Sequence, residues 1–277
     1  MNEKWTGGNP AEWACFQTTH RAFLRHVPSV VALAEHAFAK PEHPEEAVDR
    51  AIYGLTKLCV EEFMEIIVLC GNGYGIGGLR LIRTLYENAV IARHLHLNPQ
   101  DGALFLDYLF VSEKKILDAI ERETGQPTPD ALREQSDREF TRVKGPFEVE
   151  LCPDCHRRGM NYRWSKLDFI AMANKARGLD DLVIPAYRDA LRYTHAGVGG
   201  LFARLEGNAE GVWYRTAPHP EEATSALLLS NDIVLRVIAF YIEHFKIEGL
   251  DDELRRGVDE YRKVWEPRMA GKTEGSA

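Results

Sequence analysis

Apolar residues recur along most of this chain at steps of three and four, the spacing that gathers them on one face of an α-helix. From Pro44 to about Cys70 the positions Ile52, Leu55, Cys59, Phe63, Ile66 and Cys70 keep that step, and Glu45, Glu46, Asp49 and Arg50 crowd its start. Acidic side chains in a first turn suit the positive end of the helix dipole. A glycine cluster, Gly71-Asn-Gly-Tyr-Gly-Ile-Gly-Gly78, breaks the pattern. From Leu79 to about Leu97 the chain is apolar on most sides, which predicts a central, buried helix ended by Asn98-Pro99.

Further helices are predicted from near Pro99 to about Glu123, from Asp130 to Lys144, from Lys166 to Ala176, from Pro185 to His195 and over the long stretch from Pro220 to Phe245. A polar helix from Asp251 to about Trp265 should precede a disordered tail. Residues 145–163 read as irregular, and Phe147–Leu151 with Val183-Ile184 are the strand-like runs, too few for a sheet-based fold. The expectation is an all-α fold, a helical bundle with accessory helices and an irregular loop containing cysteines. Residues 1–43 read as an N-terminal helical segment, 44–246 as the bundle core, and 247–277 as the C-terminal polar helix and tail.

Composition narrows the function classes. Across 277 residues, 45% are apolar and 27% charged, an ordinary globular balance, and 34 Lys+Arg against 42 Asp+Glu leave a net charge of -8. A uniformly cationic binder of nucleic acid or membrane is excluded, so such binding needs a local basic patch. The first residues lack the apolar run of a signal peptide, and the stretch from Ala223 to Phe245 is interrupted by Asn231, Asp232, Arg236 and Glu243. With five cysteines at 15, 59, 70, 152 and 155, the expectation is a cytoplasmic protein with reduced thiols and no membrane contact.

Two motifs carry competing readings. Gly73-x-Gly75-x-x-Gly78 fits a dinucleotide-binding loop, but the helical spacing upstream of it, and the lack of strand–helix alternation elsewhere, favour a tight corner between packed helices. Cys152-Pro-Asp-Cys155 could hold one side of a structural zinc site, with remaining ligands from His219, His244, Cys15 or another subunit; otherwise the two are free loop thiols.

The remaining constellations combine arginine, acid and histidine. Arg80, Arg83 and Glu87 share a face of the apolar helix, where charges need partners, so an Arg83–Glu87 ion pair is expected. In Tyr187-Arg188-Asp189-Ala-Leu-Arg192-Tyr193-Thr-His195, Arg188 and His195 lie seven positions apart and would project from one helix face. Such a pair suits RNA cleavage: the imidazole accepts the proton of a ribose 2′-hydroxyl and the guanidinium binds the phosphate. For RNA contact, His156 to Lys166 offers Arg157, Arg158, Arg163 and Lys166 as fixed charges and Tyr162 and Trp164 for base stacking. Alternatively this is a solvated loop whose Trp164 anchors the next helix.

The stretch Gly71 through Asn88, with Asn98-Pro99, Arg163-Trp164-Ser-Lys-Leu and Tyr187 through His195, resembles the bacterial family called domain of unknown function 5677, over roughly residues 45 to 245. That family is helical. An arginine followed, after six intervening residues, by histidine on a helix bundle also resembles the HEPN ribonucleases, metal-independent endoribonucleases that pair their motifs across a dimer and often serve toxin–antitoxin or antiviral systems. The resemblance implies Arg188 as the phosphate-binding arginine, Asp189 as the polar follower and His195 as the base. Arg83 and Glu87 would be nearby orienting groups. The expected function is such a nuclease, acting as a homodimer, requiring no cofactor and leaving 2′,3′-cyclic phosphate ends. Two alternatives stand: a non-catalytic binding or sensing module in a defence or regulatory locus, and a hydrolase built on the Cys152 loop.

Overall fold

The structure is a computed structural model that describes residues 8–40, 44–152, 154–194 and 197–273. Among the described residues there are eleven α-helices and two two-stranded antiparallel sheets, so the fold is all-α. In chain order α1 (Pro10–Thr19), α2 (Arg21–Phe38), α3 (Ala47–Gly71), α4 (Gly75–Leu97), α5 (Gly102–Thr124) and α6 (Asp130–Val143) come first. The hairpin β1 (Glu148–Cys152) and β2 (Arg157–Met160) leads to the short α7 (Phe169–Ala173), α8 (Leu191–Thr194) and α9 (Val198–Phe202). A second hairpin, β3 (Leu205–Asn208) and β4 (Gly211–Tyr214), precedes α10 (Pro220–Phe245) and α11 (Asp251–Thr273).

The chain forms two compact units that are not consecutive segments: Met1–His43, Ile52–His94 and Phe169–Ala277 make the first, Pro44–Ala51 and Leu95–Asp168 the second. In the first unit α10 is buried on nearly every turn, from Ala223 through Ile233, Val234 and Ile238 to Tyr241. By length and mean hydropathy this helix could cross a membrane, yet 72% of its most apolar window is covered by the chain itself. Its charges are neutralised locally, because Arg236 donates to both oxygens of Asp232 at 2.9 and 2.8 Å. The C-terminal helix extends past its expected end, to Thr273, and is part of this core. Its Trp265 is wholly buried, donates its indole N–H to Asn231 and lies 5.5 Å from the Phe23 ring of α2.

The glycine cluster is the helix corner. Residues 52–71 are helical, Gly73 takes a φ of +83°, and α4 starts again at Gly75. A Cβ at Gly75 would lie 2.2 Å from the carbonyl oxygen of His219 and 2.4 Å from the amide nitrogen of Ala223. Only a residue without a side chain lets α4 start this close to the start of α10. Gly78 plays a similar part against Cys70 and Ala226.

In the second unit α5 and α6 are joined by Lys114, 2.9 Å from Asp118 and 2.8 Å from Asp137, and by Arg133, which bridges to Asp118 and Glu121. Beside them Val111, Val143 and Phe147 form a small core covered by Tyr108, Phe110 and Trp164. The irregular stretch contains order: Phe147–Leu151 does supply a strand, and β1 pairs with β2 so that Glu150 faces Arg158. Val183-Ile184 is no strand but the start of a π-helical turn, and the β3–β4 hairpin has no counterpart in the predicted elements. All four residues of β4 are exposed, so it lacks the alternation of apolar and polar positions that marks a strand with one buried face.

Candidate functional site

Successive turns of α4 hold the segment from Arg177 to Tyr193. Arg93 donates to the carbonyl of Arg177 at 3.0 Å, and the Tyr86 hydroxyl donates to that of Leu179 at 2.9 Å. Farther back along the helix the Arg83 guanidinium lies 4.8 Å above the Tyr187 ring, with one nitrogen 3.4 Å from its hydroxyl. Arg80 closes the series with a 2.6 Å hydrogen bond to the carbonyl of Tyr193. From α10, Arg236 reaches the Gly178 carbonyl and Asp181 at 2.9 and 2.6 Å. An apolar helix carrying arginines and a tyrosine at these steps works as a rack: the chain it holds contributes carbonyls and a ring, the groups that guanidinium donors and hydroxyls satisfy.

The held segment is not one continuous helix. Val183–Arg188 forms a π-helical turn, closed by Asp189 N–H donating to the Ile184 carbonyl at 2.9 Å, and α8 covers only Leu191–Thr194. The helix expected from Pro185 to His195 is thus interrupted, and the two-turn spacing of Arg188 and His195 does not describe a single α-helical face. π-Turns are frequent at functional sites because they displace side chains from regular helical register.

At the end of this turn Arg188 is exposed and makes no ion pair or hydrogen bond with any described residue. Tyr187, immediately before it, is fixed from both sides, by Arg83 and by the Phe169 ring at 4.5 Å. Asp189 is exposed too, with Arg192 at 3.8 Å, a long pair in water that contributes little stability. The expected Arg83–Glu87 pair is present, with Arg83 Nε donating to Glu87 at 2.8 Å. Burial works against the charge on Arg83, but the Glu87 carboxylate and the Tyr187 hydroxyl outweigh it, and the affinity of Arg83 for its proton is raised. His195 lies outside the described residues.

Behind Glu87 sits a carboxyl group that sequence reasoning passed over. Glu62 on α3 is half-buried, accepts a hydrogen bond from Asn88 at 3.2 Å and faces Glu65, Glu87 and Glu61. Burial first, and then this acidic company, push its pKa up to about 7, against the lowering effect of Asn88. A second group lies at the start of α10. Arg215 donates to Glu222 at 2.7 Å, while the other Glu222 oxygen and Nδ1 of the buried His219 have no hydrogen-bond partner. Burial and the nearby Arg215 lower the pKa of His219. Glu62 has no local motif, because it meets Asn88 and Glu87 only when α3 packs on α4, whereas Arg215, His219 and Glu222 lie within eight consecutive residues that the sequence reading did not single out as a group.

The expected RNA-contact patch belongs to the second unit and is less uniformly basic than its sequence. Antiparallel pairing brings Glu148 to within 3.5 Å of Arg158, and Glu150 to within 2.7 Å of His156. Arg163 and Lys166 are exposed without a described partner, and Tyr162 is exposed beneath the Lys115 ammonium at 4.8 Å. Trp164 is half-buried, edge-on to Phe105 of α5 at 5.0 Å and packed against the small core of Val111, Val143 and Phe147. The side chains of Arg157 and Cys152 lie outside the described residues. Cys155 is exposed, and among the described residues no three His, Cys, Asp or Glu side chains gather as a metal-binding group.

Comparison with known proteins adds one match. The model of the family of unknown function DUF5677 matches residues 49–212, more than half of the chain and inclusive of α4 and the held segment. No curated protein and no solved structure matches.

Proposed function

Because this chain belongs to DUF5677, a family whose own function is unknown, its activity must be argued from its residues, and we propose that it is a metal-independent endoribonuclease of the HEPN type. The observation that carries this reading is Arg188: an exposed guanidinium with no described partner, on a π-turn whose neighbouring Tyr187 is clamped. A cation left unpaired on a rigid support is what binding a phosphodiester requires. His195, seven positions on, would take the proton from the ribose 2′-hydroxyl. The 2′-oxygen then attacks phosphorus, the bond to the 5′-oxygen breaks, and that oxygen takes a proton from solvent. The products are a 2′,3′-cyclic phosphate and a 5′-hydroxyl end. Arg83, Glu87 and Arg80 act as positioning residues, holding the segment on which Arg188 and His195 sit.

The enzyme would work as a cytoplasmic homodimer, in a toxin or antiviral role. Exposed apolar residues immediately after His195 support a second copy: Val198, Leu201 and Phe202 on α9, and Val212, Trp213 and Tyr214 on β4. A zinc ion at Cys152 and Cys155 would be structural and outside the chemistry. In the second unit Tyr162, Arg163 and Lys166 would bind the RNA strand, with Arg157 and Arg158 adding charge. The test is incubation of purified protein with RNA in EDTA, followed by end-group analysis. Cleavage leaving cyclic phosphates, lost in both His195→Ala and Arg188→Ala, is expected. Intact RNA, or a His195→Ala variant as active as the native protein, would refute it. If the protein leaves RNA intact while Arg83→Ala lowers thermal stability, the constellation only locks the bundle, as in a binding or sensing module.

A further inference from the structure

Next to Arg188 the first unit has an open cavity of about 380 Å³ between the π-turn, α8 and α10. Its volume lies at the small end of the range for ligand sites, near that of one nucleoside. Leu79, Leu228 and Leu229 supply apolar walls, while Asp189, Arg192 and Tyr193 form a polar side. An adjoining cavity shares Leu79 and Tyr193 and adds Glu221 and Glu222. The acids at these rims outnumber the one arginine, so the pair of cavities favours a group rich in hydrogen-bond donors over a phosphate. Glu222 points the same way: Arg215 holds one of its oxygens, and the other is buried without a donor.

We propose that this cavity is a nucleobase subsite selecting guanine, read by Asp189 and Arg192. The inference rests on the ribonuclease reading above and assigns it a substrate preference. Asp189 and Arg192 are three residues apart, both exposed, and at 3.8 Å are held together only weakly, so a ligand can part them at small cost. Guanine alone among the four RNA bases has two adjacent donors, N1–H and the 2-amino group, that match a carboxylate side by side. Its adjoining edge has two adjacent acceptors, O6 and N7, that match a guanidinium bidentately. Adenine, cytosine and uracil each mix donor and acceptor along the edge that Asp189 would meet. Tyr193 and the leucines supply the stacking and apolar contact that a splayed-out base needs.

The test is equilibrium binding of guanosine, adenosine, cytidine and uridine 3′-monophosphates to the full-length protein, with cleavage of oligonucleotides carrying a single guanine as a second arm. Native protein should bind the guanosine nucleotide at least tenfold more tightly than the others. Asp189→Asn should erase that preference, and Leu228→Trp, which fills the cavity, should weaken all four. Equal binding of the four nucleotides by native protein would overturn the proposal, and that comparison needs no variant to fold. So would a guanosine preference unchanged in Asp189→Asn. The two readings fail separately. A guanosine preference in a protein that leaves RNA intact would sink the nuclease and keep the subsite. Cleavage without base preference, together with equal nucleotide binding, would sink the subsite and keep the nuclease.

Discussion

Raising the pH from 5 to 8 should weaken this protein through one carboxyl group, Glu62, and replacing it with glutamine should remove that sensitivity. In the folded chain its pKa is raised from 4.5 to about 7, first by burial and then by Glu65, Glu87 and Glu61. Between these two values the folded state binds a proton that the unfolded state has released. The stabilising contribution is therefore fully present below about 4.5 and is lost as pH climbs through about 7. At about 1.4 kcal/mol per pH decade the whole span corresponds to about 3 kcal/mol, and a half-buried, partly solvated side chain reduces this to about 1–2 kcal/mol. Glu62→Gln keeps the shape of the neutral acid and can still accept from Asn88, so it should match the native protein near pH 5 and exceed it by that margin near pH 8. Urea unfolding of both proteins at the two pH values measures the difference, and the other titrating groups cancel in the comparison. A gap between variant and native protein that is the same at pH 5 and pH 8 would refute the reasoning.

Gly75→Ala should destabilise by about 3 kcal/mol or more, because the added methyl meets backbone atoms of His219 and Ala223 that cannot turn aside; a thermal melt within a degree of the native one would contradict the close packing of α4 on α10. Trp265→Ala should cost about 3–5 kcal/mol in chemical denaturation, since the ring is fully buried and the Asn231 oxygen loses its donor. A loss below 1 kcal/mol, about what a frayed terminal helix would give, would show α11 to be peripheral. In a thiol-labelling experiment read by peptide mapping, Cys15 and Cys155 should react in the folded protein, while Cys59 and Cys70 should react only after unfolding. Burial supports this by pushing the Cys70 thiol up to about 12.

What sequence alone determined here is what repeats locally. A step of three and four apolar residues is a property of a dozen consecutive positions, so α3, α4, α10 and the all-α class follow from it directly. The Arg83–Glu87 pair follows as well, because residues four apart on a helix are neighbours whatever surrounds them. The glycine corner was legible as a corner, though not its reason: Gly75 is needed for the approach of His219 and Ala223, more than 140 positions away. Tertiary structure alone decided the geometry of the candidate site. Neither the π-turn under Arg188, the β4 strand with all four residues exposed, nor the Glu148–Arg158 pairing that tempers the basic patch has a periodic signature. Glu62 reads in sequence as one more acid on a solvated helix face; only packing against Asn88 and Glu87 of the next helix gives it an unusual proton affinity. Burial and long-range electrostatics depend on which surfaces meet, and no window along the chain contains that information.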